Sequence, residues 1–236
     1  MTRGMRISVL LPCWNAAAYV GEALRSVLEQ NPAPADVIAV DDGSTDATAA
    51  VLESFGSRVT VLRQPNRGVA AALNAAAARA TGEALAFLDA DDLWLPGKLA
   101  LQGAALAGDA TLDGAFGHIR NFVSPELSDA ESRALSAVTA LDPQPGLAKG
   151  TLLLRRTAFD RIGNFEEERR GADFIAWYAR AMTLGFCWTM LPDLVCARRL
   201  HRGNMGRYDR ARQHGDYLLV MKAYLDARRS RRESGA

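Results

Sequence analysis

Short apolar runs alternate with helix-period segments through the first hundred residues, and this alternation limits the fold more than any other feature. RISVLL (6–11), DVIAV (36–40), RVTVL (58–62) and EALAFL (83–88) are strand-length and mostly apolar. A strand that is apolar on both faces must be covered on both faces, which is the condition of a parallel sheet lying between helices. The intervening segments supply the covers. Between Ala16 and Gln30, the residues Val20, Ala23, Leu24, Val27 and Leu28 fall on one helical face. A short helix is expected over about 45–55, with Ser44 or Thr45 as its N-cap. GVAAALNAAAARA (68–80) reads as an alanine-rich helix that Gly82 ends. The pattern predicts an α/β fold with a Rossmann-like, mostly parallel sheet and helices on both faces.

The second half is less regular and predicts a smaller mixed half. A helix is expected at about 97–107, then a strand over DGAFGHIRNFV (113–123). Residues 124–148, with Pro125, Pro143, Pro145 and Gly146, read as a loop carrying a short helix near 129–138. TLLLRR (151–156) is a strand, followed by a turn at Gly163-Asn164. ADFIAWYARAM (172–182) is a helix with Phe174, Trp177, Tyr178 and Ala181 on one face. FCWTML and LVCARRL read as two last strands around Pro192-Asp193, and a C-terminal helix is expected over about 209–229. The expectation is one domain over 1–236, made of halves at 1–107 and 108–208 and a terminal helix within 209–236.

Composition removes several classes. The chain is 49% hydrophobic and 23% charged, which suits a packed core and not a disordered segment. A formal net charge of +1 offers no electrostatic case for nucleic acid. Cys13, Cys187 and Cys196 form no metal or disulfide spacing and read as small core residues. The N-terminal apolar stretch is cut short by Pro12 and Trp14, and no run approaches the ~18 residues of a membrane span. A cytoplasmic protein is expected. The arginines 228, 229, 231 and 232 suggest at most peripheral contact with an anionic membrane.

Ligands of such sheets bind at the carboxyl ends of the strands. Three strand ends here carry polar groups: Pro12–Asn15, Asp41–Asp42 and Asp89–Asp92. FLDADDLW (87–94) crowds three like charges, so Asp89, Asp91 and Asp92 need partners. A D-x-D at a strand end suits a divalent cation shared with substrate phosphates, and an acidic turn before the helix at Pro96 is the plainer reading. Trp94 is read as a packing residue. VDDGSTD (40–46) can hydrogen-bond a nucleoside or cap a helix. Asp173 can cap its helix or act as a general base. In LHRGN (200–204), His201 can ligate a metal or sit hydrogen-bonded in a loop, with Arg198, Arg199 or Arg202 available to phosphate.

Taken in order, these segments resemble a family-2 glycosyltransferase of the GT-A fold. The likeness runs through ISVLLPCWNAAAYVGEALRSVLEQ, DVIAVDDGSTDAT and NRGVAAALNAAAARATGEALAFLDADDLWLPGKL. It resumes at GTLLLRRTAFDRIGNFEE, GADFIAWYARAMTLGF and RLHRGNMG, covering about residues 6–205. The resemblance implies an inverting enzyme that moves a sugar from a nucleotide-sugar, UDP-linked by expectation, to an acceptor hydroxyl. It implies that Pro12, Trp14 and Asn15 line the nucleotide pocket, that Asp41 and Asp42 contact base and ribose, and that Arg67 and Asn74 border the nucleotide. Asp89, with Ala90 beside it, would lie near the ribose. Asp91 and His201 would hold Mn²⁺ or Mg²⁺, with Asp92 in support, and Asp173 would be the catalytic base. The acceptor is not implied: a glycan, a lipid, a peptide or a natural product are all open.

Two departures stand out. Ala172 occupies the place of the glutamate that precedes the base in the family, and 108–150 carries few landmarks. A catalytically silent nucleotide-sugar-binding domain is therefore the main alternative. A D-x-D phosphohydrolase with Asp89 as nucleophile is disfavoured, because Leu93 stands where such enzymes usually carry Thr or Val. A nicotinamide-binding Rossmann enzyme is disfavoured because the first strand ends in PCWN and not in a glycine-rich turn.

Overall fold

A computed structural model describes residues 4–136, 140–168 and 171–204. The elements follow in order: β1 (Ile7–Cys13), α1 (Val20–Leu28), β2 (Asp36–Asp41), α2 (Thr48–Glu53), β3 (Thr60–Arg63), α3 (Val69–Arg79), β4 (Ala84–Phe87), β5 (Leu93–Trp94) and α4 (Lys98–Gly108). Then come β6 (Gly114–Val123), α5 (Asp129–Ser136), β7 (Gln144–Pro145), β8 (Leu153–Arg155), α6 (Arg156–Ile162), α7 (Asp173–Thr183) and β9 (Trp188–Leu200). The expected terminal helix and its arginines lie outside the described residues.

One sheet of nine strands takes the order β3-β2-β1-β4-β8-β6-β9-β5, with β7 on the side of β6. The first four strands are parallel, as the fully apolar runs require. Side chains alternate between two cores. Val9, Leu11, Val37, Ala39, Ala84 and Ala86 pack under α1, α2 and α4. Leu10, Ile38, Val40, Leu85 and Phe87 pack under α3, α6 and α7. Beyond β4 the direction changes: β8 is antiparallel to β4 and β6, while β9 runs parallel to β6. The chain winds from β1 to β2 and β3 on one side and returns to place β4 on the other. The reversal makes β1/β4 the switch point, where a crevice opens at the carboxyl ends.

Four expectations change. The two last strands are a single strand, β9, because Pro192 and Asp193 fall where its register on β6 shifts; a bulge tolerates a residue with no N–H to give. Ser44 and Thr45 do not cap α2; Asp46 meets that helix end, accepting the Thr48 N–H at 2.9 Å. Gly82 does not end α3, whose C-cap is Ala80. A Cβ on Gly82 would lie 2.6 Å from the Ser8 backbone nitrogen, so this glycine serves close packing against β1. Cys187 is exposed, unlike Cys13 and Cys196.

Lys98 is a charged side chain inside the core. It is fully buried, donates to Gln102 Oε1 and lies over the Trp94 ring at 4.9 Å. Burial pulls its pKa down to about 7. The unfolded chain therefore holds a proton there that the folded chain releases as pH rises above 7, and stability increases with pH, by up to about 1.4 kcal/mol per pH unit. The two buried thiols, Cys13 and Cys196, are pushed up by burial and act in the opposite direction above about pH 8.5. Denaturant unfolding at pH 7.0 and 8.5 should show a rising stability, and Lys98→Met should flatten that rise.

Candidate active site

The loops after β1 and β2 are tied to each other before any ligand is considered. Asn15 takes a positive φ of 47°, which a short polar side chain tolerates. Its N–H donates to Ser44 Oγ at 3.0 Å, and its Oδ1 accepts the Thr45 N–H at 2.8 Å. Asp41 is buried and accepts the Ser44 N–H at 3.0 Å, with Arg63 Nε 3.4 Å from its other oxygen. Gly43 follows at φ 74°, where a Cβ would meet Asn66 N at 2.7 Å. Trp14 stands out from this rigid corner with 52% of its surface exposed, while Pro12 is buried within β1, opposite Val40.

Asp42 and Asn74 take protein partners. Asp42 is buried, and it accepts Gln64 Nε2 at 2.7 Å, the Arg67 N–H at 2.9 Å and the Gly68 N–H at 2.7 Å. It thus shapes the loop into α3. Asn74 gives Nδ2 to the Phe165 carbonyl and takes the Phe165 N–H on Oδ1, both at 3.0 Å. Arg67 reaches Glu167 at 2.7 Å. Asn74 and Arg67 therefore clasp the segment between α6 and α7, which β8 and α6 bring against α3, while the Arg67 side chain stays largely exposed. Ala90 is packed into the core.

The acidic stretch is resolved into separately partnered carboxylates. Asp89 leaves β4 with its side chain 44% exposed and lies 3.9 Å from Lys149 Nζ. Partial withdrawal from water among its neighbours raises its pKa; Lys149 opposes the rise, and Asp91 and Asp173 add to it. Asp91 Oδ2 is 3.0 Å from His201 Nε2. His201 Nδ1 accepts the Gly203 N–H at 3.1 Å, so this hydrogen-bond pattern puts the proton on Nε2, which donates to Asp91. Asp92 is buried and accepts the Arg199 N–H at 2.9 Å. Burial pushes its carboxyl well up, and the charges on Asp91 and Asp89 push further. Trp94 is buried as expected and donates Nε1 to the Gly150 carbonyl at 3.0 Å.

Asp173 starts α7 and is buried, and its Oδ2 accepts Lys149 Nζ at 2.9 Å. Burial works to lower the Lys149 pKa, but Asp173 and Asp89 outweigh it and hold the ammonium charged. Lys149 was not singled out in the sequence. The available signal was its isolation, as the one charged side chain between Pro143 and Leu154. Of the three arginines set out for phosphate, Arg199 is buried, donating to the Asp91 carbonyl at 2.9 Å and pairing with Glu22. Arg202 holds Glu131 through two bonds of 2.6 and 2.7 Å. Arg198 remains exposed, with its charge felt at Asp89 and Asp92.

A parallel sheet that switches to a mixed extension beyond β4 is the architecture of the GT-A fold. The mannosyltransferase PcManGT of Pyrobaculum calidifontis, solved in complex with GDP-Man and Mn²⁺, superposes with a TM-score of 0.70 at 24% identity, over 95% of this chain and 65% of that one. The chain belongs to glycosyl transferase family 2, whose model matches residues 8–163. A glycosyltransferase of Nostoc sp. is 43% identical over 99 residues, 40% of this chain and 31% of the relative. WfgD of Escherichia coli, named as a UDP-Glc:alpha-D-GlcNAc-diphosphoundecaprenol beta-1,3-glucosyltransferase, is 38% identical over 98 residues, 41% of this chain and 39% of WfgD. The matched part thus spans well under half the length of either relative. Among the described residues, no helix is long and apolar enough to cross a membrane.

If Asp42 is a loop-shaping residue, its removal is a stability event. Asp42→Ala leaves two backbone N–H groups without an acceptor and should destabilise the fold by about 2–3 kcal/mol, whereas Trp14→Ala should stay within about 0.5 kcal/mol. Chemical denaturation of the two variants without ligand checks the contrast.

Proposed function

We propose that the chain is an inverting glycosyltransferase that takes a sugar from a nucleotide-sugar, UDP-linked by preference, and delivers it to an acceptor hydroxyl. The observation that carries the reading is the meeting of Asp89, Asp91, Asp173 and His201 at one edge of the sheet, drawn from three separate stretches of chain. Family membership and nucleotide-sugar-using relatives support it.

The roles follow from chemistry. Exposed Trp14, on the corner held by Asn15 and Asp41, offers an aromatic face for a nucleobase. Asp89 is open enough to accept hydrogen bonds from a ribose or sugar hydroxyl. Asp91 and His201 present an oxygen and a nitrogen side by side, and His201 would ligate through Nε2 once its proton moved to Nδ1 and the Gly203 N–H contact was given up. Among the described residues no group of three His, Cys, Asp or Glu forms a complete cage. Two protein donors fit Mn²⁺ or Mg²⁺, which take remaining ligands from diphosphate oxygens and water. Such an ion would neutralise charge on the departing diphosphate. Asp173 keeps Oδ2 on Lys149, and among the described residues Oδ1 takes no hydrogen bond. That oxygen is available to accept the acceptor's proton as the hydroxyl attacks the anomeric carbon and the bond to the diphosphate breaks. One base and attack opposite the leaving group give inversion.

Release of nucleoside diphosphate from a panel of sugar nucleotides with Mn²⁺ tests the proposal. Asp173→Asn and Asp91→Ala should each lower turnover by about 10²-fold or more while the protein stays folded. Undiminished turnover in both variants would remove these roles.

A further inference from the structure

Among the described residues, the side chain that meets Asp173 at the start of α7 is Lys149. Asp173 is buried at the first position of its helix, preceded by Ala172, which has no polar side chain. Among the described residues, Lys149 Nζ is its one hydrogen-bond partner, at 2.9 Å. A carboxylate with a single anchor can be rotated by whatever moves that anchor. The anchor itself is well held. Lys149 opens a 3₁₀ turn, Lys149–Thr151, in which Thr151 Oγ1 donates to the Ala148 carbonyl at 2.9 Å. Trp94 Nε1 fixes the Gly150 carbonyl at 3.0 Å, and Gln102 Nε2 fixes the Thr151 carbonyl at 2.6 Å. The lysine side chain is 13% exposed, and its ammonium also lies 3.9 Å from Asp89 Oδ1. The cation therefore stands between two carboxylates that would otherwise repel, one from the end of β4 and one from α7.

We infer that Lys149 is the positioning residue for Asp173: it pins Oδ2, turns Oδ1 toward the acceptor hydroxyl, and holds the base at a set distance from Asp89. The inference rests on Asp173 acting as the base. Because the anchor sits on a braced turn, the orientation is set before substrate arrives, which is the condition for orientation to contribute to rate. In this role Lys149 acts through Asp173 and not on the reacting atoms. Its loss should appear in kcat and leave donor binding nearly unchanged.

Lys149→Met, Lys149→Arg, Asp173→Asn and the Lys149→Met/Asp173→Asn double variant carry the test. Without ligand, the unfolding equilibrium constants of the set form a double-mutant cycle, and a coupling of about fivefold or more is expected. With the sugar nucleotide of the panel that the wild-type chain turns over with Mn²⁺, Lys149→Met should lower kcat by about 10²-fold and shift donor KM by less than about threefold. Lys149→Arg should recover at least about tenfold of that loss, and Lys149→Met should add less than about twofold to the loss in Asp173→Asn. Absence of coupling, a donor KM effect without a kcat effect, an arginine no better than methionine, or full additivity would each overturn the inference. Full turnover in Asp173→Asn would instead overturn the base assignment and the inference with it. An inactive Asp173→Asn beside a fully active Lys149→Met overturns the inference alone.

Discussion

Repulsion between carboxylates at one edge of the sheet is the constraint on which the rest of the structure depends. Asp89, Asp91, Asp92 and Asp173 converge there, and each has a counterpart, one of them shared. Lys149 serves Asp89 and Asp173, His201 serves Asp91, and the Arg199 N–H with deep burial serves Asp92. All three counterparts come from beyond residue 140. The four parallel strands deliver negative charge, and the mixed extension brings the groups that make the charge tolerable. This gives a physical reason for β9 to run its full length beside β6 and then turn at His201: its last residues are what the acidic stretch pairs with.

The pairing also divides the edge by chemistry. On one side, Asp91 and His201 offer two donors of the kind that hold a divalent cation with a diphosphate. On the other, Lys149 and Asp173 form an ion pair with one carboxylate oxygen left over. Asp89 lies between the two, near enough to feel both Lys149 and Asp91. Under the proposed function, charge stabilisation and proton acceptance would fall to different residues on different elements, linked through one lysine. The polar residues after β1 and β2 have another task. Asn15, Asp41 and Asp42 spend their hydrogen bonds on each other's loops and on the start of α3, building the corner from which Trp14 projects.

Much of this was legible where periodicity operates. The four apolar runs are the four parallel strands, and the polar strand ends do lie along one edge. The helix faces at Val20 to Val27 and at Trp177 and Ala181 are the buried ones. Errors arose where long-range contact overrides local signal. Pro192 reads as a strand break, yet a register shift absorbs it. Gly82 reads as a helix end, yet its lack of a side chain is required by Ser8, which is remote in sequence. Asn74 and Asp42, expected at the nucleotide, are a different case: beside that expectation the fold gives each a protein partner that no local signal announces, Phe165 for Asn74 and the Gly68 N–H for Asp42. Lys149 carried almost no local signal. Its meaning depends on Asp89 and Asp173, which lie far from it along the chain and meet only once β8 is set against β4.

The account stands most directly on where a metal and a nucleotide bind. A crystal grown with UDP and Mn²⁺, with the ion located by its anomalous scattering, would show this. The account predicts an ion bonded to Asp91 and His201 and to diphosphate oxygens, the base of UDP against Trp14, and Asp173 still anchored on Lys149. An ion bound away from Asp91, or UDP seated elsewhere than the β1/β4 switch point, would contradict it.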